Sequence, residues 1–208
     1  MVNLTKIDWC DFTWNPVWGC RNNCPYCYAR AIAHRWGKSF EPHWMERNFQ
    51  RPMPKEPSRI FVNSMSEVAY WEPEWWDRIL RRITETPEHV FMFLTKHPRA
   101  YEGKSFPENC WLGVTVTHMG AMNALADAIF ETTWDDKYLM FVSIEPMLES
   151  IKMYVRPDWI ILGAETGNRK DRVIPKPEWI EPFLSIDIPL FMKHNLPWSG
   201  RWRKEFPT

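Results

Sequence analysis

Tyr138-Leu139-Met140-Phe141-Val142-Ser143-Ile144 (YLMFVSI), followed directly by Glu145 and Pro146, decides how this chain is read. The run is too short for a buried helix and lacks the alternation of a half-solvated strand, so it predicts a strand buried on both faces. Five runs share its character: Arg59–Asn63 (RIFVN), His89–Thr95 (HVFMFLT), Trp111–Val116 (WLGVTV), Trp159–Gly163 (WIILG) and Ile188–Met192 (IPLFM). An earlier strand is expected within Phe12–Val17. Helices are expected over Cys27–Trp36, over Pro73–Thr84, which opens with Pro at a helix-start position, over the Ala-rich Met119–Thr132, and over Pro177–Leu184. Buried strands alternating with helices predict an α/β fold with a parallel sheet. Six or seven such units in 208 residues fall short of an eight-fold barrel and point to a partial (βα)6–7 TIM-like barrel, expected as a single domain over 1–208.

Polar residues follow the apolar runs in register: Asn63-Ser64-Met65-Ser66-Glu67, Thr95-Lys96-His97, Thr115-Val116-Thr117-His118, Ser143-Ile144-Glu145-Pro146, Ala164-Glu165-Thr166-Gly167 and Lys193-His194-Asn195. In parallel α/β architectures ligands bind at the carboxyl ends of the strands, so most of these groups are expected to face one site.

The bulk numbers exclude several classes. With 45% hydrophobic and 25% charged residues the chain has an ordinary globular composition. No stretch approaches the roughly 20 apolar residues of a membrane span. Met1–Lys6 lacks the apolar core of a secretory signal, so a cytoplasmic location is expected. Equal numbers of basic and acidic residues, 26 each, argue against indiscriminate nucleic-acid binding. The balance hides local asymmetry. Seven Lys/Arg face three Glu between Tyr28 and Arg59, and Lys193, Arg201, Arg203 and Lys204 face one Glu in the tail.

Five cysteines are an odd number, and Cys20, Cys24 and Cys27 crowd into Gly19-Cys20-Arg21-Asn22-Asn23-Cys24-Pro25-Tyr26-Cys27. A clustered odd set in a chain without an export signal points to metal or redox chemistry. Three thiolates on a CxxxCxxC loop suit three irons of a [4Fe–4S] cluster and leave the fourth iron open to an external ligand. A zinc site with Cys10 or His34 as fourth ligand, a redox pair of Cys24 and Cys27, and a chance grouping of buried thiols are the alternatives. Cys10 and Cys110 are too isolated for a second cluster. Each reads as a small buried hydrophobe or a hydrogen-donor thiol.

CxxxCxxC with an aromatic residue, Tyr26, before the last cysteine resembles the radical S-adenosylmethionine (SAM) superfamily. The blocks TKIDWCDFTWNPVWGC, RIFVNSMSE, FMFLTKHP, WLGVTV, FVSIEPML, WIILGAETG and IPLFMKHN, in order from about residue 5 to 195, resemble that superfamily's phage-associated three-cysteine-motif family, whose reactions are poorly defined. The resemblance implies a partial barrel of the radical SAM type. It implies that Cys20, Cys24 and Cys27 hold the cluster, and that SAM binds the open iron and is cleaved to methionine and a 5′-deoxyadenosyl radical that takes a hydrogen from substrate. By strand position, Ser64 and Ser66 sit where the superfamily binds the SAM amino group. Ser-Met-Ser-Glu here replaces the usual Gly-Gly-Glu, and Glu67 keeps a carboxylate nearby. Lys96 resembles the strand-end Lys of spore photoproduct lyase-like enzymes, where it meets the SAM carboxylate. Thr115 and Thr117 are candidates for the ribose hydroxyls or carboxylate. Lys96, Glu145 and Glu165 are the candidate catalytic groups; the two glutamates either pair with Arg or Lys or hold substrate or SAM.

Phage association and the Thr-Lys pair point to a DNA or nucleotide substrate, with rearrangement (isomerisation) of a hypermodified base such as an amino acid-modified thymidine as the leading expectation. Basic segments around Arg30–Arg59 and Arg201–Lys204, interleaved with Trp36, Trp44, Trp198 and Trp202, would suit backbone contact and base stacking. Repair of a photodamaged base, and a non-catalytic metal-binding partner protein, are the alternatives. An external electron donor of the flavodoxin or ferredoxin type and a host-cytoplasm location complete what the resemblance implies.

Overall fold

The structure, a computed structural model, describes residues 5–131, 137–167 and 169–207. Its strands are β1 (Phe12–Thr13), β2 (Val17–Trp18), β3 (His43–Trp44), β4 (Arg59–Phe61), β5 (Val90–Thr95), β6 (Cys110–Thr115), β7 (Leu139–Ile144), β8 (Trp159–Leu162) and β9 (Leu190–Met192). Its helices are α1 (Tyr28–Arg35), α2 (Glu46–Phe49), α3 (Pro73–Thr84), α4 (Met119–Glu131) and α5 (Pro177–Leu184), with 3₁₀ helices at Val68–Tyr70 and Pro98–Tyr101. Seven strands form one sheet in the order β1-β4-β5-β6-β7-β8-β9, while β2 and β3 form an antiparallel ribbon. The pairs β1–β4, β4–β5, β7–β8 and β8–β9 are parallel. The expected last residue of the fourth helix, Thr132, lies outside the described residues, as do Met1–Leu4.

The expected partial (βα)6–7 TIM-like barrel is not what the chain builds. Among the described residues, α3 follows β4, α4 follows β6 and α5 follows β8, but β5 is linked to β6 through a four-residue 3₁₀ helix and β7 to β8 through no helix. The reason is local. Residues 96–109 contain Pro98, Gly103 and Pro107, and residues 145–158 are bounded by Pro146 and Pro157. Pro removes a backbone donor and fixes φ, which leaves neither segment the uninterrupted turns a helix requires. The product is a seven-strand α/β sheet in which a helix follows only some of the strands.

The chain folds as two compact units, Met1–Thr95 with Gly103–Trp111, and Lys96–Glu102 with Leu112–Thr208. In the first, α3 buries Trp76, Ile79 and Ile83 along one stripe. Trp76 stacks on Phe93 at 5.8 Å and meets Trp71 at 4.8 Å, so α3 is locked by aromatic contacts. In the second, Gly113 makes room for the Phe141 ring, which a Cβ there would meet at 2.2 Å. The C-terminal tail adds an antiparallel bridge at Phe191–Lys204. Arg203 then donates to the carbonyls of Leu184 at 3.1 Å, Ile186 at 3.0 Å and Ile188 at 2.9 Å, which satisfies acceptors left over at and beyond the end of α5. Among the described residues no helix is long and apolar enough to cross a membrane.

Candidate functional site

The cysteine loop leaves β2 through Gly19, whose φ of +99° favours glycine. A Cβ on Gly19 would stand 2.2 Å from the Glu41 carbonyl oxygen, so the loop runs flush against the 39–42 backbone. Gly19 N donates to Met65 O at 3.0 Å and Cys20 N to Phe40 O at 2.8 Å, which pins the loop to the segment after β4 and to the stretch before β3. Cys27 closes it as the N-cap of α1, its Sγ accepting from Arg30 N at 3.4 Å. Cys20 Sγ accepts from Asn22 N at 3.2 Å. All five cysteines are free of disulfides; the three loop cysteines are half-buried, whereas Cys10 and Cys110 are buried. Burial pushes the Cys10 thiol up to about 12 and raises Cys110 as well, which makes both inert at neutral pH.

Arg30 ties the loop from inside. Its guanidinium donates to Cys20 O at 2.9 Å and Asn22 O at 2.8 Å and lies 5.0 Å from the Phe40 ring centroid. Trp18, Cys20, Cys27 and Ile32 pack against a buried cluster of Ala29, Ala33, Phe40 and Met65. Two donors here are buried with no acceptor among the described residues, Trp18 Nε1 and Arg30 Nε. An unsatisfied buried donor costs about 1–3 kcal/mol, so the loop carries unmet demand for an acceptor.

Glu67 is buried as the N-cap of the Val68–Tyr70 helix, and its carboxylate accepts from Thr95 Oγ1. Burial, then the negative charge of Glu67, Cys27 and Cys24, pushes the Cys20 thiol up to about 11. Burial and the same Cys20, Glu67 and Cys24 raise the Tyr70 hydroxyl, which donates to Asn22 Oδ1 at 2.7 Å. Three thiols, a carboxylate and a phenol therefore share one electrostatic neighbourhood, in which a bound cation would displace the thiol protons. Among the described residues no three His, Cys, Asp or Glu converge as ligands of a single ion. A cubane cluster requires no such convergence, because each thiolate takes a different iron. The half-buried thiols and the orphaned donors fit such an electron-rich group.

Other expected residues in this unit carry structural bonds. Ser64 Oγ donates to Asn15 Oδ1 at 3.1 Å, and Ser64 O accepts from Tyr28 Oη at 2.6 Å. Ser66 Oγ accepts from Trp71 Nε1 at 3.1 Å. Tyr26 is half-buried between Cys24 and Cys27. Sequence reasoning missed Asn15, which also accepts from Met65 N at 3.0 Å; Asn63, expected among the polar strand-end residues, spends its amide on Leu94 N and Leu94 O. The motif Trp14-Asn15-Pro16 was the available signal for the first.

The second unit holds Lys96, Thr115, Thr117, Glu145 and Glu165 at or just past strand ends. Thr115 and Thr117 are buried and Lys96 is half-buried. Glu145 forms an ion pair with Lys193, receives Ser143 Oγ at 3.3 Å, and lies over Gly163, where a Cβ would meet its Cγ at 2.6 Å. Glu165 takes both arms of Arg169, at 2.8 and 2.9 Å, and those bonds hold its carboxyl below the usual range. Both glutamates thus pair with cations. A cavity of about 400 Å³ beside Glu165 is lined by Thr166, Arg172, Val173, Ile174 and Asn195.

The basic segments are partly structural. Arg59 is bidentate to Asp11, Arg51 lies 4.4 Å from the Phe12 ring centroid, and Arg203 serves the tail. Trp36 is 65% exposed, with Lys38 Nζ 5.6 Å from its ring centroid. No curated protein and no solved structure matches the chain. One family model does, described as a protein of unknown function (DUF5131), and it covers residues 4–194 and with them the cysteine loop and every named strand-end residue except Asn195. The chain belongs to the DUF5131 family.

Proposed function

We propose that this protein is a radical SAM enzyme, with Cys20, Cys24 and Cys27 holding a [4Fe–4S] cluster whose fourth iron is left for SAM. The observation that carries this reading is the loop itself: three half-buried, disulfide-free thiols wrapped on one short segment beside Glu67 and Tyr70, with two buried donors lacking acceptors among the described residues. When bound, the cluster and SAM supply one-electron reductive cleavage and so abstraction of a hydrogen atom from substrate.

The chain's own residues do the holding and shielding. Cys20, Cys24 and Cys27 lose their protons on loading and supply the thiolates. Gly19, flush against Glu41, and Arg30, bonded to Cys20 O and Asn22 O, keep the loop closed around its contents. Glu67 places a carboxylate next to the thiols, where an ammonium group of SAM would find it. Trp18 and Phe40 supply an apolar wall against water.

A modified nucleobase is the substrate class we favour. Exposed Trp36, with Lys38 over its ring, suits stacking on a base beside a phosphate. Anaerobic reconstitution tests the cofactor reading: about four iron and four sulfide per chain, with 5′-deoxyadenosine released from SAM after reduction, supports it. Stoichiometric zinc and no 5′-deoxyadenosine ends it and favours a metal-binding partner protein. For the substrate, deuterium carried from labelled modified DNA into 5′-deoxyadenosine is the supporting result, and transfer only from a small metabolite the contrary one.

A further inference from the structure

Trp18 Nε1–H and Arg30 Nε–H are buried and have no acceptor among the described residues. Both border the cysteine loop. Trp18 stands two residues before Cys20 and packs, with Cys20 and Cys27, on the Ala29–Ala33–Phe40–Met65 cluster. Arg30 is held by Cys20 O, Asn22 O and the Phe40 ring, and its backbone N–H meets Cys27 Sγ. The guanidinium is therefore fixed to the start of the loop and its backbone to the end, with the buried Nε–H unsatisfied among the described residues. Indole and guanidinium groups donate only, so water-excluded donors at this place call for an acceptor, and protonated thiols accept weakly. Lys38 Nζ, 5.6 Å from the Trp18 ring centroid, adds a positive charge beside the same indole.

We propose that Trp18 Nε1–H and Arg30 Nε–H donate hydrogen bonds to the sulfur atoms of the cluster held by Cys20, Cys24 and Cys27 and so raise its reduction potential, an inference that rests on the cluster reading above. Reduction adds one negative charge to the group, and hydrogen bonds to an ion strengthen with its charge, so the donors favour the reduced form. Hydrogen bonds to sulfur are among the levers by which a protein sets the potential of an iron–sulfur site. Trp18 and Arg30 are positioning residues in this scheme, since neither touches substrate.

The test is a redox titration of the reconstituted protein followed by electron paramagnetic resonance, on Trp18→Phe, Arg30→Lys and the control Trp36→Phe. Trp18→Phe keeps an aromatic ring and removes the N–H; Arg30→Lys keeps the charge and removes the Nε donor together with the bonds to Cys20 O and Asn22 O. We expect unchanged iron content in Trp18→Phe and Trp36→Phe, and about a tenfold loss of the reduced form at fixed potential in Trp18→Phe and in the iron-loaded fraction of Arg30→Lys, a drop of about 59 mV for a one-electron couple. Trp36→Phe, at an exposed ring, leaves the potential unchanged. Potentials equal to wild type at full iron content overturn the inference. So does loss of iron from natively folded Trp18→Phe, which would make the indole a holding group and not a tuning one. Absence of iron from the wild-type protein instead removes the cluster reading, a distinct result that takes this inference with it.

Discussion

Gly19→Ala tests whether the loop is as tightly wrapped as its contacts state. A methyl there would lie 2.2 Å from Glu41 O, 2.3 Å from Glu41 C and 2.6 Å from Pro42 N, all backbone atoms that no rotamer change can clear. Carbon contacts settle at about 3.5–4.0 Å, so the loop and the 39–42 segment must part by more than about an ångström. That separation breaks Cys20 N–Phe40 O and strains Gly19 N–Met65 O, worth about 1 kcal/mol each. The left-handed φ adds about 1–2 kcal/mol. The expected loss is roughly 3 kcal/mol or more, against about 1–2 for Gly37→Ala, where φ is +61° but nothing lies within 4 Å. In a chain of this size each kcal/mol moves Tm by about 2–4 °C, so Gly19→Ala should melt several degrees below Gly37→Ala. Urea unfolding followed by circular dichroism measures the difference directly. Equal destabilisation of the two variants would refute the close approach of Gly19 to Glu41, and with it the closed loop.

Three further outcomes are expected. Alkylation of the metal-free native protein should modify Cys24 and Cys27, more slowly Cys20, whose thiol is pushed up, and reach Cys10 and Cys110 only after unfolding, because the last two are buried; native labelling of Cys110 at the loop rate would contradict its placement. Glu165 titrates below its ordinary range because of Arg169, so its stabilisation is full above the unfolded carboxylate value and is lost as pH falls through the lower folded value. Glu165→Gln should therefore flatten the acid limb of a stability–pH curve, to which Asp11 and Glu205 also contribute, and an unaltered limb would count against the pair. Ile79→Ala, at a fully buried site on α3, should cost about 2–5 kcal/mol in urea unfolding, and a loss under about 1 would show that α3 is packed more loosely than described.

The strand runs were legible because buried strands are continuous apolar blocks, and each observed strand from β4 onward overlaps its block, trimmed by up to two residues at either end except at Trp111, where β6 begins one residue earlier. Pro73–Thr84 and Pro177–Leu184 are bounded as expected, since Pro at the first helical turn marks an unmistakable start. The two-residue β2 and β3 and the four-residue α2 are too short to show any period, and the Phe12–Val17 segment is split between two sheets. The barrel expectation failed because the interval between strands does not reveal whether it holds a helix or a proline-bounded loop. At the site, the spacing of Cys20, Cys24 and Cys27 was legible, but the partners that shape it were not. Arg30 reaches Cys20 O across ten residues, Glu145 meets Lys193 across 48, and Asn15 accepts from Met65 N across 50. Such pairings are set by chain folding, and nothing local in the sequence announces them.

Whether the cysteine loop loads an iron–sulfur cluster that engages SAM is decided by anaerobic reconstitution with iron and sulfide, followed by reduction in the presence of SAM. We expect about four iron and four sulfide per chain, 5′-deoxyadenosine as a product, and loss of both in the Cys20→Ala, Cys24→Ala and Cys27→Ala variants but not in Cys10→Ala. A protein that takes up one zinc per chain, or that binds iron and releases no 5′-deoxyadenosine, would contradict the radical SAM reading.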